Sequence, residues 1–131
     1  MKELMLGNEA VARGAYEAGV RVAVVSNKPD YGVQELCARY FPGLLDSAVG
    51  MREGIRKKPY PDAVEAALAA FGVPPERAVY IGDSEVDVQT AKNAHTALIS
   101  VDWGFRTHAQ LVEAGAEHIV SDADALLALL R

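Results

Sequence analysis

Apolar runs of strand length, Val22 to Val25, Ala78 to Ile81 and Ala97 to Val101, alternate with segments in which apolar residues recur at helical spacing and which stop at glycine or proline. That alternation predicts a mostly parallel sheet with helices on its faces, an α/β architecture. From Tyr31 to Tyr40 the residues Val33, Leu36, Cys37 and Tyr40 fall on one helical face, and Pro42-Gly43 ends the pattern. Cys37 therefore reads as a core residue. A second helix is expected from about Pro61 to Phe71, with Val64, Ala67, Leu68 and Phe71 inward and Gly72 just beyond its end.

The tail repeats the pattern: a helix near Thr107 to Ala114 closed by Gly115, a short strand around Ile119, and a last helix after Ser121-Asp122. At the start, Glu3 to Leu6 fits a short strand, Asn8 a helix cap and Gly19 a helix stop, so the chain is expected to begin strand, helix, strand.

Length and charge narrow the partners. At 131 residues, half of them hydrophobic, the chain fits one three-layer, Rossmann-like domain over residues 1–131. Thirteen basic against eighteen acidic residues give a net charge of -5, which argues against nucleic acid or an anionic membrane as the main partner. No apolar run reaches the roughly 20 residues of a membrane span. The single cysteine excludes an internal disulfide and no signal core opens the chain, so a cytoplasmic location is expected. An exposed sheet edge is compatible with a homodimer.

Ligands of open parallel sheets gather outside the carboxyl ends of the strands, where helix N-termini present free N–H groups. Three polar clusters fall there. Ser26-Asn27-Lys28-Pro29 follows the strand ending at Val25, and its hydroxyl and amide suit phosphate oxygens, although the same residues also make ordinary turns. Lys57-Lys58-Pro59-Tyr60-Pro61 places a lysine at a helix entrance, a position a solvated basic loop would equally fill. Gly82-Asp83-Ser84-Glu85-Val86-Asp87 follows the strand ending at Ile81 and opens a helix reaching about Asn93. Asp83 and Asp87 are carboxylates of the kind magnesium prefers, while acids in a first helical turn also serve the helix dipole. Together the clusters supply phosphate donors, a cation and a metal site, the parts phosphoryl transfer uses.

These segments, Val24-Val25-Ser26-Asn27-Lys28-Pro29, Lys58-Pro59-Tyr60-Pro61 and Gly82-Asp83-Ser84-Glu85-Val86-Asp87, are similar to the second, third and fourth motifs of the haloacid-dehalogenase superfamily, phosphoglycolate phosphatases in particular. Ala91-Lys92-Asn93-Ala94 and Val101-Asp102-Trp103-Gly104-Phe105-Arg106 extend the resemblance, with His95 standing where a glycine is usual. The resemblance implies a phosphomonoester hydrolase core acting on a small phosphorylated molecule with Mg2+. By it, Ser26 and Asn27 bind the phosphoryl group, Lys58 neutralises it, Asp83 ligates the metal, and Asp87 joins or supports the metal site; Lys58 and Asp83 are the catalytic pair.

The superfamily's nucleophile lies in an Asp-x-Asp-Gly-Thr motif that occurs nowhere in the chain, and no segment is long enough for its cap domain. At the motif's expected place only Glu9 offers a carboxylate, and it reads more simply as a first-turn acid. Leu6 to Val20 resembles the opening of the alpha subunit of indolepyruvate ferredoxin oxidoreductase, which implies a hybrid chain whose residues 1–23 are a borrowed strand and helix. The expected function is therefore magnesium and phosphate binding with weak or absent phosphatase activity. A recombined fold without function and a small phosphatase with another nucleophile remain alternatives.

Overall fold

The computed structural model describes residues 19–104 and 106–130, so the strand expected at Glu3 to Leu6, the cap at Asn8 and the acid Glu9 lie outside the described residues. Strand β1 (Ala23–Pro29) leads into helix α1 (Asp30–Tyr40) and strand β2 (Ser47–Met51). Helix α2 (Asp62–Phe71) and a 3-10 turn at Pro75–Arg77 carry the chain to β3 (Val79–Gly82). Then follow α3 (Glu85–Ala94), β4 (Ala97–Val101), α4 (His108–Glu113), β5 (Ile119–Val120) and α5 (Ala123–Leu130). All pairings are parallel: β1 with β2, and β3 with β4 with β5. The architecture is α/β and Rossmann-like, and no cap is evident among the described residues.

Local chemistry explains the boundaries. Gly72 closes α2 in the left-handed conformation, φ 69°, which lets its N–H reach the carbonyls of Leu68 and Ala69. Thr107 caps α4 through a reciprocal box with Gln110, each side chain accepting from the other residue's backbone N–H. His95 closes α3 at φ 61°, a conformation that costs a side chain with a Cβ on the order of 1–2 kcal/mol.

Two separate hydrophobic clusters pack against the strands. Val64 and Leu68 of α2, Tyr80 of β3, and Ala91 and Ala94 of α3 pack together, with Val25 and Leu98 at the margin. Ile99, Val101, Val120 and Leu126 form the second cluster, with Trp103 against it. Cys37 and Val33 are both buried on α1. Leu36 and Tyr40, expected inward on the same helix, are instead 40% and 37% exposed. The reason is angular: Val33 and Cys37, four apart, stack on the line of contact, and residues three from either one rotate to its edge. Phe71 is only half-buried.

β2 was not expected from the sequence. Ser47-Ala48-Val49-Gly50-Met51 lacks a β-branched run, and its position depends on partners. The Gly50 N–H donates to Asp30 Oδ1 at 2.9 Å, and a Cβ at Gly50 would stand 2.5 Å from Asp30 Cα. Only glycine lets β2 approach the start of α1 this closely. Among the described residues, no helix is long and apolar enough to cross a membrane.

Candidate functional site

The polar clusters meet at the carboxyl ends of β1 and β3. β1 pairs regularly with β2 only as far as Val25; the register then breaks until Pro29, which releases Ser26, Asn27 and Lys28 from the ladder. Ser26 Oγ accepts from the Lys28 N–H at 3.1 Å, a local turn that holds the hydroxyl at the strand end. Asn27 Oδ1 accepts from the Lys58 N–H at 2.8 Å, so the first cluster fixes the backbone of the second. With its carbonyl occupied, the Asn27 amide group is left as a donor.

Lys58 enters from the loop before α2, which Asn93 steadies by donating from its side chain to the Pro59 carbonyl at 2.7 Å. The Lys58 ammonium lies 2.8 Å from Asp87 Oδ1. Asp87 is 4% exposed and is saturated by donors. Oδ1 also accepts the Tyr80 hydroxyl at 2.7 Å, and Oδ2 accepts the Asp83 N–H at 3.0 Å and the Ser84 hydroxyl at 3.1 Å. Burial pushes the Asp87 carboxyl upward, but the Lys58 charge and these hydrogen bonds outweigh it and hold the carboxyl below its ordinary value. The same arrangement raises the Tyr80 phenol, first through burial and then through the neighbouring carboxylate.

Asp83 and Asp87, both expected at a metal site, have different surroundings. Both Asp87 oxygens are committed to protein donors, so Asp87 holds Lys58 and the turn into α3 rather than facing the solvent. Asp83 differs: it is half-buried, and among the described residues its carboxylate accepts no hydrogen bond. It lies tightly against Gly104, where an added Cβ would collide with the carboxylate. Gly82 is similarly confined by the Asp87 side chain.

At the rim, Arg106 makes a paired contact with Glu85, 2.7 Å from Nε to Oε2 and 3.1 Å from Nη2 to Oε1. The Arg106 hydrogen bonds lower the Glu85 carboxyl. Sequence reading did not single out Tyr80, Gly104 or Gly50. Tyr80 was legible only as one member of an apolar strand, and the glycines gain meaning only from the atoms that crowd them. The one Asp-x-Asp pair in the sequence, Asp122 and Asp124, is exposed beside the edge strand β5, where Asp122 Oδ1 accepts from the Ala125 N–H at 2.7 Å as a helix cap. No group of three or more His, Cys, Asp or Glu side chains converges among the described residues. Among the described residues, Asp83 is the carboxylate at this rim without a hydrogen-bond donor, and a hard carboxylate oxygen of this kind suits magnesium, which keeps several waters.

Ser26, Asn27, Lys58 and Asp83 thus stand at the carboxyl ends of parallel strands, the side of an α/β sheet where ligands bind. The model of the haloacid dehalogenase-like hydrolases matches residues 6–95, and the chain belongs to that family. A phosphoglycolate phosphatase of Pseudomonas savastanoi pv. phaseolicola is 30% identical over 114 residues, covering 83% of this chain and 40% of that protein. A crystal structure from Lactobacillus delbrueckii subsp. bulgaricus, provisionally described as a phosphoglycolate phosphatase, is 44% identical with a TM-score of 0.92 and covers 95% of this chain and 52% of its own. CbbY from Rhodobacter sphaeroides in complex with phosphate is 31% identical with a TM-score of 0.75, covering 92% of this chain and 54% of that one. The chain thus spans about half the length of these proteins.

Proposed function

We propose that this chain binds the phosphate of a small phosphomonoester together with Mg2+, and that it hydrolyses phosphomonoesters weakly or not at all. The observation that supports the reading is the run of contacts joining the strand ends, from Asn27 to the Lys58 backbone, from the Lys58 ammonium to the buried Asp87, and from Asp87 to the Asp83 N–H, with Ser26 next to Asn27 in the chain. The Ser26 hydroxyl and Asn27 amide donate to phosphate oxygens, and the Lys58 ammonium offsets their charge. Asp83 holds the metal, and Asp87 supports the site by orienting Lys58 and the Asp83 backbone. Magnesium, when bound, draws charge from the phosphoryl oxygens. The names of the phosphoglycolate phosphatase relatives and the phosphate-bound relative support a phosphomonoester as the ligand class.

Turnover is limited because the Asp-x-Asp-Gly-Thr segment that resembling enzymes use as nucleophile and acid-base pair does not occur in these residues. Thermal unfolding with MgCl2, with inorganic phosphate and with both tests the binding. The expected result is a rise in Tm that is greatest with both and lost in Asp83→Ala for the magnesium component. No shift under any condition would sink the reading. Hydrolysis of p-nitrophenyl phosphate should remain at the level of Asp83→Ala prepared in the same way; magnesium-dependent turnover above it would show that a nucleophile is present.

A further inference from the structure

The segments that follow β3 and β4 touch at two points. The strands run parallel from the pair Val79 and Ala97 to the pair Gly82 and Ser100, so the chain leaves both at the same end of the sheet. After β3 comes Asp83 and, two residues on, Glu85 at the first position of α3. After β4 comes Gly104 and, two residues on, Arg106. Gly104 meets Asp83: a Cβ built on it would stand 2.8 Å from Asp83 Cγ and closer still to Oδ2. Arg106 meets Glu85 through two hydrogen bonds, Nε to Oε2 at 2.7 Å and Nη2 to Oε1 at 3.1 Å.

The start of the segment after β4 is tied to the other side of the sheet. The Asp102 N–H donates to the Val120 carbonyl at 3.2 Å, Asp102 Oδ2 accepts the Ser121 hydroxyl at 2.7 Å, and Trp103 packs on the cluster of Ile99, Val101, Val120 and Leu126. Those contacts leave its distance from Asp83 unset. Among the described residues, the hydrogen bonds that run from this segment to the Asp83 turn are the two between Arg106 and Glu85. A solvent-exposed ion pair contributes little to global stability, but a two-point arginine–carboxylate contact fixes both separation and orientation. The Arg106 guanidinium is raised first by its hydrogen bonds to Glu85 and more weakly by the charge of Asp83, which puts it within electrostatic reach of that carboxylate.

The geometry points to Arg106 and Glu85 as positioning residues for Asp83: their ion pair straps the segment after β4 to the turn after β3 and holds Gly104 against the carboxylate that takes magnesium. This deepens the proposed function and rests on magnesium binding at Asp83. A strap and a mere pair of charges differ in sign at Arg106. Charge alone makes loss of the guanidinium favourable to a divalent cation, because it removes a positive neighbour and frees the Glu85 carboxylate. A strap makes the same loss unfavourable, because Gly104 is no longer held on Asp83.

The test is calorimetric titration of the full chain with MgCl2 for wild type, Glu85→Ala, Arg106→Ala and the double variant. Each single change should weaken magnesium binding roughly threefold to tenfold, and the double change by the same factor rather than its square, since all three remove one contact. Their Tm should stay within about 5 °C of wild type, as expected for an exposed pair. In the metal-free chain, 15N relaxation should give a lower order parameter for the Gly104 amide in all three variants. Tighter binding in Arg106→Ala beside weaker binding in Glu85→Ala, adding in the double variant, overturns the strap in favour of charge. Unchanged affinity, or unchanged Gly104 relaxation, overturns the strap while leaving magnesium binding in place. No magnesium binding by wild type overturns the proposed metal site and the strap with it.

Discussion

The Lys58 ammonium sits 2.8 Å from Asp87 Oδ1, with the two side chains 16% and 6% exposed. Neither charge is solvated well enough to stand alone, so each is held in the fold by the other. Lys58→Met should therefore destabilise the chain by about 3–5 kcal/mol in urea denaturation, the usual cost of leaving a buried carboxylate unpaired. Lys58→Met/Asp87→Asn should recover most of that loss. Equal destabilisation in the single and double variants would mean that the ion pair is not what Lys58 contributes.

The depressed Asp87 carboxyl sets an acid limb of stability. Below the unfolded carboxylate value, about 3.9, the unfolded chain binds a proton that folded Asp87 does not yet take up. Stability is thus fully present above that pH and is lost as pH falls toward the folded pKa. The urea midpoint of wild type should drop more steeply below about pH 4 than that of Asp87→Asn. Parallel curves would count against the assignment.

Tyr80→Phe removes one donor from Asp87 and leaves the ring in the core with Val64 and Leu68. A hydrogen bond to a charged group contributes about 1.5–3 kcal/mol, so a loss in that range is expected without a change in far-UV circular dichroism.

Gly104→Ala should separate the proposed metal site from the fold. The added methyl displaces the Asp83 carboxylate, and magnesium affinity should fall roughly 10- to 100-fold by calorimetry, the range seen when the support of a ligand is disturbed. Unchanged affinity would show that Asp83 does not bind the metal.

His95→Gly relieves the left-handed helix end, where the imidazole is exposed. The gain should be on the order of 0.5–1 kcal/mol after the greater backbone entropy of glycine in the unfolded chain is set against it. A lower Tm would mean that the His95 side chain has a structural partner.

The local elements were legible in the sequence because they rest on local physics. Apolar runs and helical spacing located β1, β3, β4, β5 and the five helices of the described residues to within a few residues, and Pro61, Gly72, Thr107 and Gly115 marked helix ends through backbone geometry that depends only on neighbours. The site clusters were legible for the same reason: a strand followed by a helix N-terminus places its linking residues at one rim of a parallel sheet whatever the rest of the fold does.

The tertiary structure decided what spacing cannot encode. Asp83 and Asp87 read alike along the chain, yet Tyr80, Ser84 and Lys58 close around Asp87 and leave Asp83 open, because hydrogen-bond saturation depends on residues that meet only after folding. β2 forms where Gly50 lets Asp30 approach it, and its parallel pairing with β1 became visible only once the strands were set side by side. Periodicity along a chain reports which face of an element is buried; what it is buried against, and which strand it pairs with, are long-range facts that the order of residues does not contain.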